Sequence, residues 1–217
     1  MPFREAVILF GCLVAAVIFH EVSHGVVALW FGDDTAKRAG RLTLNPVPHI
    51  DPFGSILLPA MGALAGLPIL GYAKPVPVNP ARLRHPRRDL VFVSLAGPTT
   101  NFLLMAIAAI VARTLVSGGA VLGSNIDVRS PDLLVEIVFF FAIVNLLLGV
   151  FNLLPIPPLD GSALIERLLP REWLPTWYRF RPYGILVLLV LVFWTGIVAD
   201  IVNPFYNLLA DFVVSGR

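Results

Sequence analysis

The chain has 217 residues, of which 57% are hydrophobic and 14% are charged, and its formal net charge is +2. A typical soluble domain has about 25% charged and 45–50% apolar residues, so this chain has too few charges to coat a water-facing surface. Its high apolar content excludes a disordered chain, and its small net charge gives no indication of nucleic-acid binding. The composition therefore predicts a multi-pass protein of the lipid bilayer.

Four apolar stretches are predicted to span the membrane as helices, since a hydrocarbon core needs about 20 helical residues. They are residues 5–31, 90–112, 133–154 and a C-terminal helix at about 183–212. The first stretch is interpreted as a retained transmembrane helix rather than a signal peptide. No small-residue cleavage site is evident, and its second half holds His20, Glu21 and His24.

A fifth apolar stretch, residues 52–73, is interrupted by three prolines and four glycines. Both residue types weaken a helix but are tolerated in spanning segments, so a full crossing and a re-entrant segment both remain open here. The expected fold is all-α and polytopic, with about four to six transmembrane helices and a small membrane-embedded β-hairpin or re-entrant segment. We expect one domain over residues 1–217, with its core at about 5–169.

The sequence His20-Glu21-Val22-Ser23-His24 is an HExxH motif inside the first apolar helix. Residues i and i+4 lie on one helix face, so both imidazoles can bind one metal ion. Glu21 lies about 100° around the helix, where it can take a proton from a zinc-activated water without being a ligand. Ionisable groups in a spanning helix need a partner. The alternative is a packed pair of neutral histidines with a protonated glutamate.

A hydrolytic zinc site needs a third protein ligand, which leaves a fourth position for water. The other candidates are His49, His85, Asp51, Glu136, Asp160 and Asp200. Asp160 follows the prolines that end the 133–154 helix, where the chain can turn inward. Its alternative role is to cap a short helix over residues 162–169. His49 is interpreted as a hydrogen-bonded loop histidine outside the site.

Taken together, these motifs resemble the site-2 protease family, the intramembrane zinc metalloproteases. The resemblance covers most of residues 20–161 and is carried by HEVSHG (20–25), NPVPHIDPFGSILLP (45–59), GYAKPVPVNP (71–80), AGPTTNF (96–102) and FNLLPIPPLDG (151–161). It implies a zinc-dependent endopeptidase that cleaves transmembrane-segment protein substrates. It also implies one zinc ion per chain, held by His20, His24 and Asp160.

The resemblance assigns two further roles and one departure from the family pattern. It implies that Glu21 is the catalytic base and that Asn152 lines the site, where its amide steadies the oxyanion or the substrate strand. Gly97 and Asn101 resemble the family's small, polar packing surface, which serves either helix packing or substrate contact. The chain is expected to be a short form, since nothing in it is long or polar enough for a PDZ or CBS domain.

The ligand set makes a topological prediction. His20 and His24 lie late in the first helix and Asp160 follows the 133–154 helix, so these two helices must run in the same direction. That requires a re-entrant 52–73 segment, which places 12 of the 16 basic residues on one side, against ten at best for a full crossing. The positive-inside rule then predicts a site towards the cytoplasmic side of the membrane. The Arg-, Ala- and Val-rich composition indicates a prokaryotic cell membrane.

Two non-enzymatic functions compete with proteolysis: a binding protein that holds membrane substrates or metal without hydrolysis, and a metal transporter. The first has no use for Glu21, and the second requires ligand pairs along the membrane, where ionisable groups are few. For a protease, residues 41–58, with 71–80, are expected to offer an extended edge to an unwound substrate. The alternative is a hairpin that plugs the cavity.

Overall fold

The computed structural model describes residues 3–51, 54, 57, 74–119 and 132–215. Among these, four helices are long and apolar enough to cross a membrane. They are α1 (Phe3–Trp30), α3 (Pro86–Ser117), α4 (Leu133–Asn152) and α8 (Ile197–Val214). Shorter helices are α2 (Thr35–Arg38), α5 (Ser162–Leu168), α6 (Leu174–Phe180) and α7 (Gly184–Val190). The first three predicted spanning helices are therefore confirmed as helices.

The C-terminal stretch, predicted as one helix over residues 183–212, is divided in the structure. Helix α7 continues into a wide π-helical turn over Leu191–Thr195, and Gly196 then has a φ of 70° before α8 begins. Glycine adopts this left-handed backbone without the steric cost that a Cβ atom brings. Gly196 therefore ends one helix and starts the next inside a continuous apolar stretch.

The expected membrane-embedded β-hairpin is not shown, since the described residues contain no strand. Residues 41–51 form bends and a 3-10 turn at Val47–His49. The side chains of Thr43 and Asn45 accept the backbone N–H groups of Asn45 (3.1 Å) and Val47 (3.0 Å), and such local bonds compete with strand pairing. Residues 74–79 have no regular secondary structure, and almost all of 52–73 lies outside the described residues.

By their internal contacts, the residues fall into two compact units, and one of them is Val17–Gly97. Within this unit the later half of α1 packs on the start of α3 through a buried cluster of Ala28, Leu83 and Val93. The small side chain of Ala28 lets the helix backbones approach closely. This packing places the HExxH turn of α1 beside the first turns of α3.

The second unit is Met1–Ala16 with Pro98–Arg217. Its largest cluster joins alanines of α3 to apolar residues of α4 and α8: Ala108, Ala109, Ala112, Val116, Val135, Ala142, Leu146, Val150, Leu209 and Val213. The fully buried Asn101 donates to Asn145 (Nδ2 to Oδ1, 2.8 Å), which donates to the carbonyl of Phe141. Polar pairs of this kind link helices in an apolar surrounding. One domain over residues 1–217 stays a prediction.

Candidate metal centre

His20 and His24 lie one helical turn apart on α1, and their side chains are only 6% and 8% exposed. The Nε2 atom of His20 lies 3.0 Å from the Nε2 atom of His24. Histidine nitrogens bind zinc at about 2.0–2.1 Å, so one ion can contact both nitrogens at this separation. The i, i+4 spacing of the motif therefore brings two imidazole nitrogens close together, and their role as zinc ligands stays a prediction.

A backbone carbonyl on α3 determines the tautomer of His24. The Nδ1 atom of His24 lies 2.6 Å from the carbonyl oxygen of Val93. A carbonyl oxygen can only accept, so Nδ1 carries the proton of the ring. The Nε2 atom is then left with its lone pair, which is the form that binds a metal ion.

Gly97, also on α3, lies against the Nε2 edges of both imidazole rings. A Cβ atom at this position would lie 2.5 Å from Nε2 of His20 and 2.5 Å from Nε2 of His24. The missing side chain therefore leaves open the space in front of both nitrogen atoms. Two imidazole nitrogens that face such a gap fit a zinc ion, which takes histidine and carboxylate ligands.

Asp160 lies in the turn between α4 and α5. The backbone N–H of Gly161 donates to the carbonyl of Asn152 at 2.7 Å, which folds the chain back onto the end of α4. Helix α5 begins at Ser162, and its N-cap residue is Gly161 rather than Asp160. The role of Asp160 as the third zinc ligand beside His20 and His24 stays a prediction.

Glu21, next to His20 on α1, is partly buried, and its Oε2 atom accepts a hydrogen bond of 2.8 Å from the backbone N–H of Val76. Val76 is a buried residue of the 74–79 segment, which has no regular secondary structure. The carboxylate is thus anchored through one oxygen by a neutral backbone donor.

Asn152 is the last residue of α4, and its side-chain Nδ2 donates to the carbonyl of Leu148 at 3.0 Å. An amide nitrogen has two hydrogens, so a second hydrogen is left for another acceptor. The predicted contact of this amide with an oxyanion or a substrate strand stays a prediction.

Two of the other candidate residues, His49 and His85, have structural partners of their own. His49 is buried, and its Nε2 lies 2.9 Å from the carbonyl of Thr43, as expected for a hydrogen-bonded loop histidine. His85 precedes α3 and lies 3.8 Å from the buried Asp89. Asp200 is exposed in the first turn of α8.

Two functional contacts escaped the sequence analysis: the carbonyl of Val93 and the N–H of Val76. Every residue has a carbonyl group, and all but proline have an N–H, so residue identity gives no signal for such contacts. Gly97 stood within a recognised motif, AGPTTNF, but its position in front of two imidazoles becomes visible only in the packed helices. Pattern analysis therefore finds side-chain ligands more readily than the groups that orient them.

Comparison with known proteins gives consistent results. The sequence profile described as Peptidase family M50 matches residues 119–195. YwhC of Bacillus subtilis is 38% identical over 205 residues, which cover 93% of this chain and 87% of that protein. Rip2 of Mycobacterium tuberculosis H37Rv is 35% identical over 186 residues, or 85% of this chain and 65% of Rip2. MJ0392 of Methanocaldococcus jannaschii is 25% identical over 166 residues, or 76% of this chain and 35% of MJ0392.

Each of these three relatives is named a zinc metalloprotease. No solved structure matches the chain. The identity to YwhC extends over nearly the full length of both proteins, and the M50 profile covers the turn that contains Asp160. The chain therefore belongs to peptidase family M50, the site-2 protease family, and is a zinc metalloendopeptidase.

Proposed function

We propose that the protein is an intramembrane endopeptidase that hydrolyses peptide bonds in or near transmembrane segments of membrane-protein substrates. The observation that carries this proposal is the 3.0 Å separation of Nε2 of His20 and Nε2 of His24, with Gly97 against both atoms. Both histidines lie in α1, a helix that is long and apolar enough to span a membrane. A hydrolytic site on such a helix is suited to substrates that share the bilayer.

Nε2 of His20, Nε2 of His24 and the carboxylate of Asp160 would hold one zinc ion per chain. When bound, the zinc ion supplies Lewis-acid activation of a water molecule and of the scissile carbonyl. Glu21 takes a proton from the attacking water and delivers it to the nitrogen of the leaving amine. Oε2 of Glu21 is held by Val76, so its Oε1 atom is the oxygen assigned to this transfer.

The substrate must be unwound before it is cleaved, because the carbonyl groups of a helix are engaged in i to i−4 hydrogen bonds. Asn152 is proposed to contact the unwound strand or the oxyanion. Its Nδ2 uses one hydrogen for Leu148, and the second hydrogen can donate to a substrate oxygen. The substrate class is thus a membrane protein whose spanning helix opens locally.

We also propose that the protein lies in a prokaryotic cell membrane with its site towards the cytoplasm. Support comes from the distribution of basic residues. Under a re-entrant 52–73 segment, 12 of the 16 lysines and arginines fall on one side of the membrane. Cytoplasmic loops carry such an excess.

Zinc content and cleavage test the proposal together. Zinc per polypeptide is measured in detergent-purified parent, Asp160→Ala and Glu21→Gln proteins, with the exposed Asp200→Asn as the matched carboxylate control. We expect about one zinc per chain in the parent, in Glu21→Gln and in Asp200→Asn, and clear loss in Asp160→Ala. A folded parent without zinc would contradict the proposed ligand set.

Cleavage is then followed with reporter proteins that carry one transmembrane helix between two fluorescent tags. We expect the parent and Asp200→Asn to cut such a reporter within or near its helix. Glu21→Gln should keep its zinc and lose at least about a hundredfold in rate, since general acid–base catalysis contributes about 10²–10⁴-fold. Equal cleavage by Glu21→Gln would remove the catalytic role of Glu21.

A further inference from the structure

The segment of residues 74–79, called the strap below, has no regular secondary structure and is held at both of its ends. At one end, the backbone N–H of Lys74 donates to the carbonyl of His49 at 2.9 Å. At the other end, the backbone N–H of Asn79 donates to Oδ2 of the buried Asp33 at 2.6 Å. The strap is therefore a tethered segment without strand partners among the described residues.

The centre of the strap has a single backbone donor. Pro75 and Pro77 have no N–H, so Val76 is the one residue of these three that can donate from its backbone. That N–H is given to Oε2 of Glu21 at 2.8 Å. The one backbone N–H between the two prolines of the strap therefore donates to the carboxylate of the HExxH motif.

Arg41 holds the strap from the carbonyl side. Its side chain is buried, and Nη2 donates to the carbonyls of Lys74 (2.6 Å) and Pro75 (3.4 Å). Burying a guanidinium group costs free energy unless the group is hydrogen-bonded. These two bonds therefore hold the Arg41 side chain against the strap. The carbonyl of Pro75 and the N–H of Val76 belong to one planar peptide unit and point in opposite directions. Arg41 contacts one side of this unit and Glu21 contacts the other.

Packing of the Val76 side chain fixes the same peptide unit against α1. A Cβ atom at Gly25 would lie 2.9 Å from Cγ1 of Val76, so the bare glycine makes room for this side chain. Gly25 follows Glu21 by four residues and therefore lies on the same helix face. The strap thus rests directly on the face of α1 that presents the carboxylate.

We propose that the peptide unit between Pro75 and Val76, clamped by Arg41, positions the carboxylate of Glu21 for proton transfer. Arg41 is then a positioning residue, which acts on the reaction through the strap and Glu21. The hydrogen bond to Oε2 selects one orientation of a flexible side chain and directs Oε1 to the reacting water. This inference rests on the proposed function, in which Glu21 is the catalytic base.

Hydrogen exchange at the Val76 amide tests the contact without a substrate. Exchange is read by NMR in ¹⁵N-valine-labelled protein in detergent micelles, for the parent and for Glu21→Ala, Glu21→Gln, Arg41→Met and Arg38→Met. We expect exchange about tenfold or more faster in Glu21→Ala and Arg41→Met, because each loses a charged hydrogen-bond partner. Glu21→Gln keeps an acceptor oxygen, and Arg38→Met removes an exposed arginine of the same region; both should exchange like the parent.

Kinetics with the cleavable single-helix reporter separate positioning from a general structural role. We expect Arg41→Met to lower kcat about tenfold or more, with KM and zinc content unchanged, since misorientation of a reacting group affects the chemical step. Arg41→Lys keeps the cation and should recover part of kcat. Arg38→Met should match the parent in both constants.

Two results would overturn the inference. One is a Val76 exchange rate that is the same in the parent and in Glu21→Ala. The other is Arg41→Met protein with the exchange rate and kcat of the parent. Zinc is measured in every variant, so that failure of the proposed function remains distinguishable. A parent protein without zinc contradicts the proteolytic site. If the parent binds zinc but its Val76 amide exchanges at the same rate in Glu21→Ala, only the positioning role is contradicted.

Discussion

The Nδ1 atom of His24 donates a hydrogen bond to the backbone carbonyl oxygen of Val93, 2.6 Å away. Gly97 follows Val93 by four residues on α3 and lies in front of the Nε2 atoms of His20 and His24. One face of α3 therefore supplies both the acceptor that orients His24 and the bare glycine that lies against its Nε2 atom. The two histidines are prepared for a metal ion by a helix that contributes no ligand side chain of its own in this region.

Gly97→Ala should remove zinc while the protein stays folded. The added Cβ atom would meet both Nε2 atoms at 2.5 Å, which is shorter than any ordinary contact. We expect zinc affinity to fall about tenfold to a hundredfold, the range seen when groups around metal ligands are disturbed. The measurement is zinc per polypeptide by mass spectrometry. Gly11→Ala, on the same protein but with nothing near its added Cβ, is the control; equal zinc in the two variants would contradict the prediction.

Asn101→Ala should lower the free energy of unfolding by about 1–3 kcal/mol, because it leaves the buried Oδ1 of Asn145 without its donor. Replacing both asparagines with alanine should cost less than the sum of the two single alanine changes, since the Oδ1 atom that the single Asn101 change leaves without its donor is then absent. Unfolding is measured in detergent with increasing SDS. If the single changes are additive with the double change, the hydrogen bond between the two amides has no energetic role.

Acid should destabilise the protein in part through Asp33, which lies just after α1. Burial opposes its ionisation, but hydrogen bonds from Thr35 and Asn79 and the charge of Arg82 outweigh burial, so the pKa of Asp33 lies below its ordinary 3.8. A lowered pKa means that the stabilisation is complete above about pH 3.8 and is lost as the pH falls towards the folded-state pKa.

The test measures the free energy of unfolding of the parent and of Asp33→Asn from about pH 6 to about pH 3. The parent should lose stability over the acid end of this range, and Asp33→Asn should lose less because it has no proton to bind there. Asp34→Asn removes the neighbouring, 33% exposed carboxylate and is the charge-matched control. Parallel curves for the parent and Asp33→Asn would show that Asp33 does not contribute.

Cysteine labelling can decide the course of the chain between α1 and α3. Single cysteines replace Lys37 and His85 in a Cys12→Ala background, and a membrane-impermeant thiol reagent is added to vesicles of either orientation. If residues 52–73 are re-entrant, both positions are labelled from the cytoplasmic side, as the positive-inside rule also requires. Labelling from opposite sides would establish a full crossing and contradict the proposed orientation of the site.

The sequence by itself was sufficient for features that depend on local spacing and composition. Apolar length predicted the first three long helices, because a bilayer-spanning helix has few other ways to be built. The i, i+4 spacing of His20 and His24 predicted a shared helix face, because the geometry of an α-helix is the same wherever it occurs. Asp160 entered the site through family resemblance, since its distance along the chain from His24 carries no spatial information.

Tertiary structure decided the features that depend on backbone atoms and on which elements pack together. The carbonyl of Val93 and the N–H of Val76 resemble those of most other residues, so only the fold selects them as partners of His24 and Glu21. The break at Gly196 likewise depends on a backbone angle, which an apolar composition does not specify. The physical reason is common to both. Residue identity specifies the chemistry of a side chain, whereas backbone groups are nearly the same in every residue, so only the packing of the folded chain determines which of them makes a contact.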